Sequence, residues 1–543
     1  MSKRNSIFTT VPMRIPDRSG FDLSHEHIFT ATTGTLVPAA SFEVLPGDKV
    51  SLGSLFRTTL PPFAVPFMGR IDACMEAFFV PHRIIWKAWE SFITQNNGVS
   101  PMADGTIGTP PPISVPVFLP NSNPNMLGSG TLADYLGFKL NQGTTPPNVG
   151  MSALKFLAYH KICDDWYRDD NNVLPFFAKN PPGILDGGAG WSSQIAVIPR
   201  VINSFSAHTT AGEQDSVTLS LNVPSASSVV THLNKIGVDA SIGLGSLRQR
   251  SWAKDYFTTA TPQPQAGAAS SVAFDTSGST GQFTIASLRA ANSLQKWMER
   301  NNIAGTRYGD QILAHFGVLP PSAVMDRAIL LGSCRTPVIV GSVENNSNAE
   351  ASTKNGPFGN TLGSAAGFGS ATDKGSLIDS FDVKEHGFVF VMYSLVPHSY
   401  YNSGFDREFR HVAYGDFAWP EFSNIGDQPI LAGELSVEAT NPLSTFAYNQ
   451  RYSEYKAKLD RISGLLSDMS SAGGTTQLSA YALQRGFSGD GPALGKQFLE
   501  IPTDYLDQVF AVSAGVSGFS CLVDCYFDCS ILRVLPEYSL PSL

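Results

Sequence analysis

Charge is scarce in this sequence. Asp, Glu, Lys and Arg make up 15% of its 543 residues, against about 25% in an ordinary globular chain. Such a chain can lose much of its surface to other chains, because buried charges have to be paired and few need pairing here. Acidic residues outnumber basic ones 46 to 37, a net charge of −9. That balance excludes a protein that neutralises nucleic acid over its whole surface. Any such contact has to be local or shared with a basic partner. Cysteine is rare as well: six in the whole chain exclude a disulfide scaffold and predict free thiols in a reducing cytosol. No window holds the roughly 18 uninterrupted apolar residues of a membrane span, so no membrane insertion is expected. The first twenty residues, MSKRNSIFTTVPMRIPDRSG, have basic residues but no apolar stretch and predict no secretory signal. GxSxG, HExxH and the GxxxxGKS/T loop are all missing.

What is present is Gly (49), Pro (36) and Phe (35), a composition for many short strands joined by long ordered loops. Length alone suggests two to four domains, but no linker divides the chain and no period of 20–50 residues repeats. Residues 1–35 are polar and basic and predict an extended arm. EVLPGDKVSL (43–52) reads as strand, turn and strand. From Arg70 to Val80, Ile71, Ala73, Met75, Ala77 and Phe79 share one face, while Arg70, Asp72, Cys74 and Glu76 share the other. IIWKAWESF (84–92) and TLADYLGF look helical, and 151–173 places Leu154, Leu157, Ala158, Ile162 and Trp166 on one helical face. Residues 181–247, rich in Ser, Gly and Val, resemble a β-type surface insertion, and 341–376 a Gly/Ser-rich loop. HGFVFVMYSLVP (386–397) and FSCLVDCYFDCSIL (519–532) are strands. In 283–321, apolar positions at Ile285, Leu288, Ala291, Leu294, Trp297 and Met298 predict an amphipathic helix ended by Asn301, Asn302 and Gly305, with a shorter one to Phe316. Together these predict a mainly β chain, one β-sandwich with elaborated loops.

Chemistry is hard to find. Cys521, Cys525 and Cys529 have a spacing that invites a metal, but Phe519, Val523, Phe527 and Ile531 fall on the same face of a period-two strand. They read as small core residues. His25 and His27 fit a surface strand. Asp164-Asp165 and Asp169-Asp170 could bind a cation, but adjacent acids on a helix point apart, so caps and salt bridges are expected. No catalytic residue, metal ligand or cofactor is expected. Two basic–aromatic clusters remain. Arg248, Arg250, Trp252, Lys254, Tyr256 and Phe257 form one; Arg451, Tyr452, Tyr455, Lys456, Lys458 and Arg461 form the other. Stacking rings and cations suit single-stranded nucleic acid, while Tyr, Trp and Arg are equally enriched where proteins meet. Composition favours the protein interface.

Taken in order, FDLSHEH (21–27), EVLPGD (43–48), FFVPHRIIWKAWESF (78–92), LAYHKICDDWYRDDNN (157–172), KDYFTTATPQPQAG (254–267), SLQKWMERNNIAGTRYGDQILAHFGV and RYSEYKAKLDRISG (451–464) resemble the major capsid proteins of the Microviridae, nearest the gokushovirus type. The resemblance implies a single eight-stranded antiparallel jelly roll with large loop and helical insertions. It also implies self-assembly through pentamers into a small T=1 icosahedral shell around circular single-stranded DNA. A separate small basic DNA-binding protein, a DNA pilot protein and a scaffolding protein would be its partners. Assembly would take place in the host bacterial cytoplasm, with 181–247 as a threefold protrusion that meets a host receptor. The carboxyl end, LPEYSLPSL, departs from the family's usual finish. Candidate DNA contacts are Lys3, Arg4, Arg14, Arg18, Arg248, Arg250, Lys254, Arg451 and Lys456. Candidate subunit contacts are Trp166, Tyr167, Arg168, Trp252, Tyr256, Phe257, Trp297, Arg300, Arg307 and Tyr308. The rival classes are a non-capsid virion spike and a carbohydrate-binding β-sandwich, the latter in need of a carboxylate pair in an aromatic cleft.

Overall fold

A computed structural model describes residues 18–63, 66–86, 89–93, 115, 117–118, 127–139, 151–169, 172–173, 201–202, 245–264, 285–304, 308–318, 321, 326–344, 365–423, 425–467, 481–510 and 518–537. Ten strands make two antiparallel sheets. The first five are β1 (Ser19–Asp22), β2 (His25–Ala31), β3 (Val37–Val44), β4 (Lys49–Thr59) and β5 (Ile71–Pro81). Then come β6 (Ile329–Pro337), β7 (Ile339–Glu344), β8 (Ala365–Asp382) and β9 (Gly387–Pro397), and last β10 (Cys521–Arg533). In one sheet β1 and β2 both run along β10, which is followed by β4, β8 and β7; the other has the order β3, β9, β5, β6. Asp48 and Gly47 (φ +92°) turn the chain out of β3 and into β4, so the 43–52 turn passes from one sheet to the other.

The core lies between the sheets. Along β10, Cys521, Val523, Cys525, Phe527, Cys529 and Ile531 are buried while Leu522, Tyr526, Asp528 and Ser530 face out, the alternation read from the sequence. Tyr393 of β9 sits at the centre. Its ring meets Phe29 and Phe56 edge-on at 5.6 and 6.4 Å, and its hydroxyl is 2.9 Å from Thr58 Oγ1 on the opposite sheet. β5 departs from its two-faced pattern, for ten of its eleven residues are buried. The reason is a second apolar layer. Helices α1 (His82–Ile85), α2 (Trp89–Ile93), α3 (Leu132–Tyr135) and α4 (Leu154–Ile162) contribute Ile85, Leu132, Leu157 and Tyr159 against Phe78, Phe388 and Phe390 of β5 and β9. Trp86 is extended, so the helix expected over 84–92 breaks there. α4 widens into a π-turn over Cys163–Tyr167.

Several boundaries differ from the expectation. The arm predicted for 1–35 is paired strand from Ser19 onward, because Phe29 and Ala31 carry apolar surface that the core takes up. The loop predicted for 341–376 is strand at both ends, in β7 and β8, whose small residues lie close across the pair. The surface insertion placed at 181–247 falls almost wholly outside the described residues. Past it, α5 (Ile285–Ala304) runs through Asn301 and Asn302, and α6 (Tyr308–Phe316) follows.

Candidate assembly and nucleic-acid surfaces

The first basic–aromatic cluster folds inward. Arg248 is buried, with its guanidinium 3.3 Å from Asp164 and its backbone N–H donating to the Tyr159 hydroxyl at 2.8 Å. That hydroxyl donates in turn to the Leu36 carbonyl. Arg250 clamps both oxygens of Glu76, at 2.9 and 3.1 Å, and lies 5.1 Å from the Tyr167 ring. Lys254 is exposed but paired with Asp169. Arg248 and Arg250 are therefore corrected from DNA contacts to intramolecular staples: their charge is spent on the chain's own carboxylates. The aromatics follow them. Trp252 packs edge-on against Tyr505 at 4.9 Å, and Phe257 is fully buried. The Tyr256 hydroxyl donates to Glu434 at 2.8 Å, and burial holds the Glu434 carboxyl above its usual range. These three are core, not subunit contacts. Tyr167 is also buried, its hydroxyl on Glu76. Trp166 is half-buried; its Nε1 donates to the Ala328 carbonyl, and Arg327 stacks 4.1 Å over its ring. Arg168 donates to the Val173 carbonyl at 2.6 Å. Composition foretold an interface here because a chain packing on itself uses the same residue types as a chain packing on another.

Asp164 and Asp165, the paired acids, are taken up the same way. Asp165 accepts from Lys161 at 3.0 Å and from the Ala328 N–H at 2.9 Å. The thiols are held protonated by burial: Cys529 and Cys74 are pushed up to about 11, Cys521 and Cys163 to about 12. A protonated thiol is neither a nucleophile nor a metal ligand at neutral pH.

The second cluster stays at the surface except for Tyr452, which is buried. Tyr455 is exposed and stacks on His411 at 5.8 Å, Lys456 is exposed, and Arg451 lies over Tyr452. The Tyr452 hydroxyl accepts from the Trp419 N–H at 3.2 Å. That contact ties the cluster to a ribbon of short turns, 405–425, on which Phe409 (79% exposed), Val412, Tyr414 (82%), Phe417, Trp419 and Ile425 all face out. Sequence reading missed this ribbon, since its aromatics follow no helical or strand period. Across 405–425 and 451–461 six cations face six anions: Arg407, Arg410, Arg451, Lys456, Lys458 and Arg461 against Asp406, Glu408, Asp416, Glu421, Glu454 and Asp460. A surface that is aromatic and neutral suits protein better than polyanion.

α5 meets the body through a polar residue near its end. Among the residues of α5 whose side chains are described, Asn301 and Asn302 are buried; Asn301 Oδ1 is 2.6 Å from His315 Nε2 of α6, and the Asn302 amide donates to Thr261 Oγ1 at 3.0 Å and to the Gln263 carbonyl at 2.9 Å. Leu294, Trp297 (52% exposed) and Ile303 are partly exposed, as are Leu313 and Phe316 of α6, and the Trp297 ring stacks on His315 of α6 at 6.2 Å. Arg300 is exposed beside them. Tyr308 opens α6; Arg307, like Lys3, Arg4 and Arg14, lies outside the described residues, and Arg18 is exposed.

A β-sandwich that spends its buried cations on its own acids and leaves apolar side chains of a helical hairpin exposed is built as a structural subunit. The chain belongs to the viral family described as "Capsid protein (F protein)", whose profile matches residues 9–543. It is 27% identical to Capsid protein VP1 of Chlamydia phage 1 over 99% of this chain and 97% of that protein. Against Capsid protein VP1 of Bdellovibrio phage phiMH2K the identity is 25%, covering 98% and 97%, and against that of Spiroplasma virus 4 it is 25%, covering 97% and 95%. This is a structural, non-enzymatic capsid protein of the Microviridae.

Proposed function

We propose that copies of this chain associate, through pentamers, into a T=1 icosahedral shell around circular single-stranded DNA. The observation that carries the reading is the exposed apolar surface of the α5–α6 hairpin: Leu294, Ile303, Leu313 and Phe316 are 44–78% exposed and are left to be covered by another copy. Fully burying one such side chain stabilises by about 1.5–3 kcal/mol. The neutral aromatic ribbon 405–425 is a second contact of the same kind. The strand orders β2-β10-β4-β8 and β3-β9-β5-β6 support an eight-stranded jelly roll with β1 and β7 as edge additions. With a net charge of −9, a separate small basic protein is expected to share the neutralisation of DNA. Residues 181–247 are proposed as the host-contact insertion, with pilot and scaffolding proteins as further partners in the host cytoplasm. Sedimentation and electron microscopy of the purified chain test the reading. Pentamers or closed shells are expected; a stable monomer at high micromolar concentration overturns it.

A further inference from the structure

Arg70, just before β5, and Asp72, Cys74 and Glu76 within it lie on one side of the strand and hold an anchored charge cluster. Asp72 is fully buried, and two arginines divide its carboxylate. Arg70 Nε donates to Oδ1 at 3.0 Å, and Arg335 Nε, from the neighbouring strand β6, donates to Oδ2 at 2.6 Å. His398, just past β9, places Nε2 3.6 Å from the same Oδ2, and its backbone N–H donates to the Arg70 carbonyl. Both arginine side chains nevertheless remain about half exposed, 55% and 47%. Each commits only Nε to Asp72, and among the described residues no other group takes a hydrogen bond from either.

Two planar guanidinium groups are thus fixed on one anchor with their outer Nη donors free. The set carries one net positive charge before His398 is counted. Arg250, further along the same face, is different: its fork is closed on Glu76 and the pair is neutral. Fixed guanidinium donors in excess of the local negative charge are the arrangement that takes a phosphate, since its oxygens accept from both forks. A site with fixed positive charge in excess suits a polyanion, just as the neutral ribbon at 405–425 suits protein. We propose that Arg70 and Arg335, held ready by Asp72, bind a phosphodiester of the enclosed single-stranded DNA. The proposal rests on the shell reading for its ligand but not for its chemistry.

The test is fluorescence anisotropy of the purified full chain with a labelled oligodeoxythymidylate of about twelve nucleotides, a span within the usual single-strand site sizes. Binding is expected to weaken about tenfold in the R70Q/R335Q variant, and the slope of log K against log salt to shrink by about 0.7 for each phosphate no longer neutralised. Inorganic phosphate should compete with the oligonucleotide on the unaltered chain and not on the variant. If the double variant melts early because Asp72 is left buried and unpaired, R70Q/R335Q/D72N removes that charge and is measured instead. Equal affinity and slope in variant and parent overturn the proposal. So does unchanged DNA binding with impaired association between copies, which would assign the arginines to a neighbour's carboxylate. Sedimentation of the same samples separates the two readings: a chain that binds DNA through these arginines but never associates overturns the shell and leaves the site.

Discussion

Arg248 and Asp164 meet 84 positions apart in sequence, guanidinium to carboxylate at 3.3 Å, each side chain only 6% exposed. This pair ties the segment behind the 181–247 insertion to the helical layer over β5. Removing Arg248 takes the opposite charge away from a buried carboxylate. Arg248→Ala is expected to destabilise the chain by about 3 kcal/mol, and Arg248→Met with Asp164→Leu together by much less. Thermal or urea unfolding of the two variants checks this; equal losses would mean that the pair is not buried as a unit.

The apolar face of α5 and α6 leads to the opposite expectation. Phe316→Asp should leave the unfolding free energy within about 0.5 kcal/mol of the parent, because the ring is 78% exposed. Association between copies should fall by about 2 kcal/mol or more, as for a central aromatic contact. Phe409→Asp on the ribbon should behave alike. Analytical ultracentrifugation beside a melting curve reads both quantities.

Where α5 meets the body, Asp427 lies close to Glu299. Burial first, and the Glu299 charge second, raise the Asp427 carboxyl to about 6. An unfolded aspartate titrates near 3.9. A raised folded value stabilises while the group is protonated, so the contribution is full below about pH 4 and is lost as pH climbs through 6. Asp427→Asn should therefore flatten the fall in melting temperature between pH 4 and 6 and leave the variant more stable than the parent at pH 7.5. A parallel fall in both proteins would refute the assignment.

All three cysteines of β10 face the core, with Cys525 fully buried and its thiol raised by that burial. Thiol reagents on the native chain at pH 8 should find Cys334 first, as the one cysteine of the six that is not fully buried. All six should react in denaturant. Fast modification of Cys521 or Cys525 in the native state would show that β10 opens at the edge.

How much of this was legible depends on how far apart the deciding atoms are. The alternation in β10 and the continuous apolar run of β9 are visible in the chain because side-chain direction in a strand repeats locally. The helical period of α5 is visible for the same reason. Nothing local says that Asn302 will be held by the body, since the decision belongs to Thr261 and Gln263, about forty residues away. Likewise the basic–aromatic run at 248–257 has one composition whether its partner is DNA, a second copy or its own Asp164 and Glu76.

The sequence by itself determined the class: too little charge for a nucleic-acid coat acting alone, no spacing for catalysis, and ordered motifs of one capsid family. It also determined which residues share a face, because backbone geometry sets that within a few positions. Only the tertiary structure decided which faces are covered. Folding neutralised Arg248 and Arg250, left Leu294 and Ile303 of α5 exposed, and brought Arg335 from β6 to Asp72 on β5. Burial and charge pairing are sums over neighbours that lie far off in the chain, and only the fold brings those neighbours together.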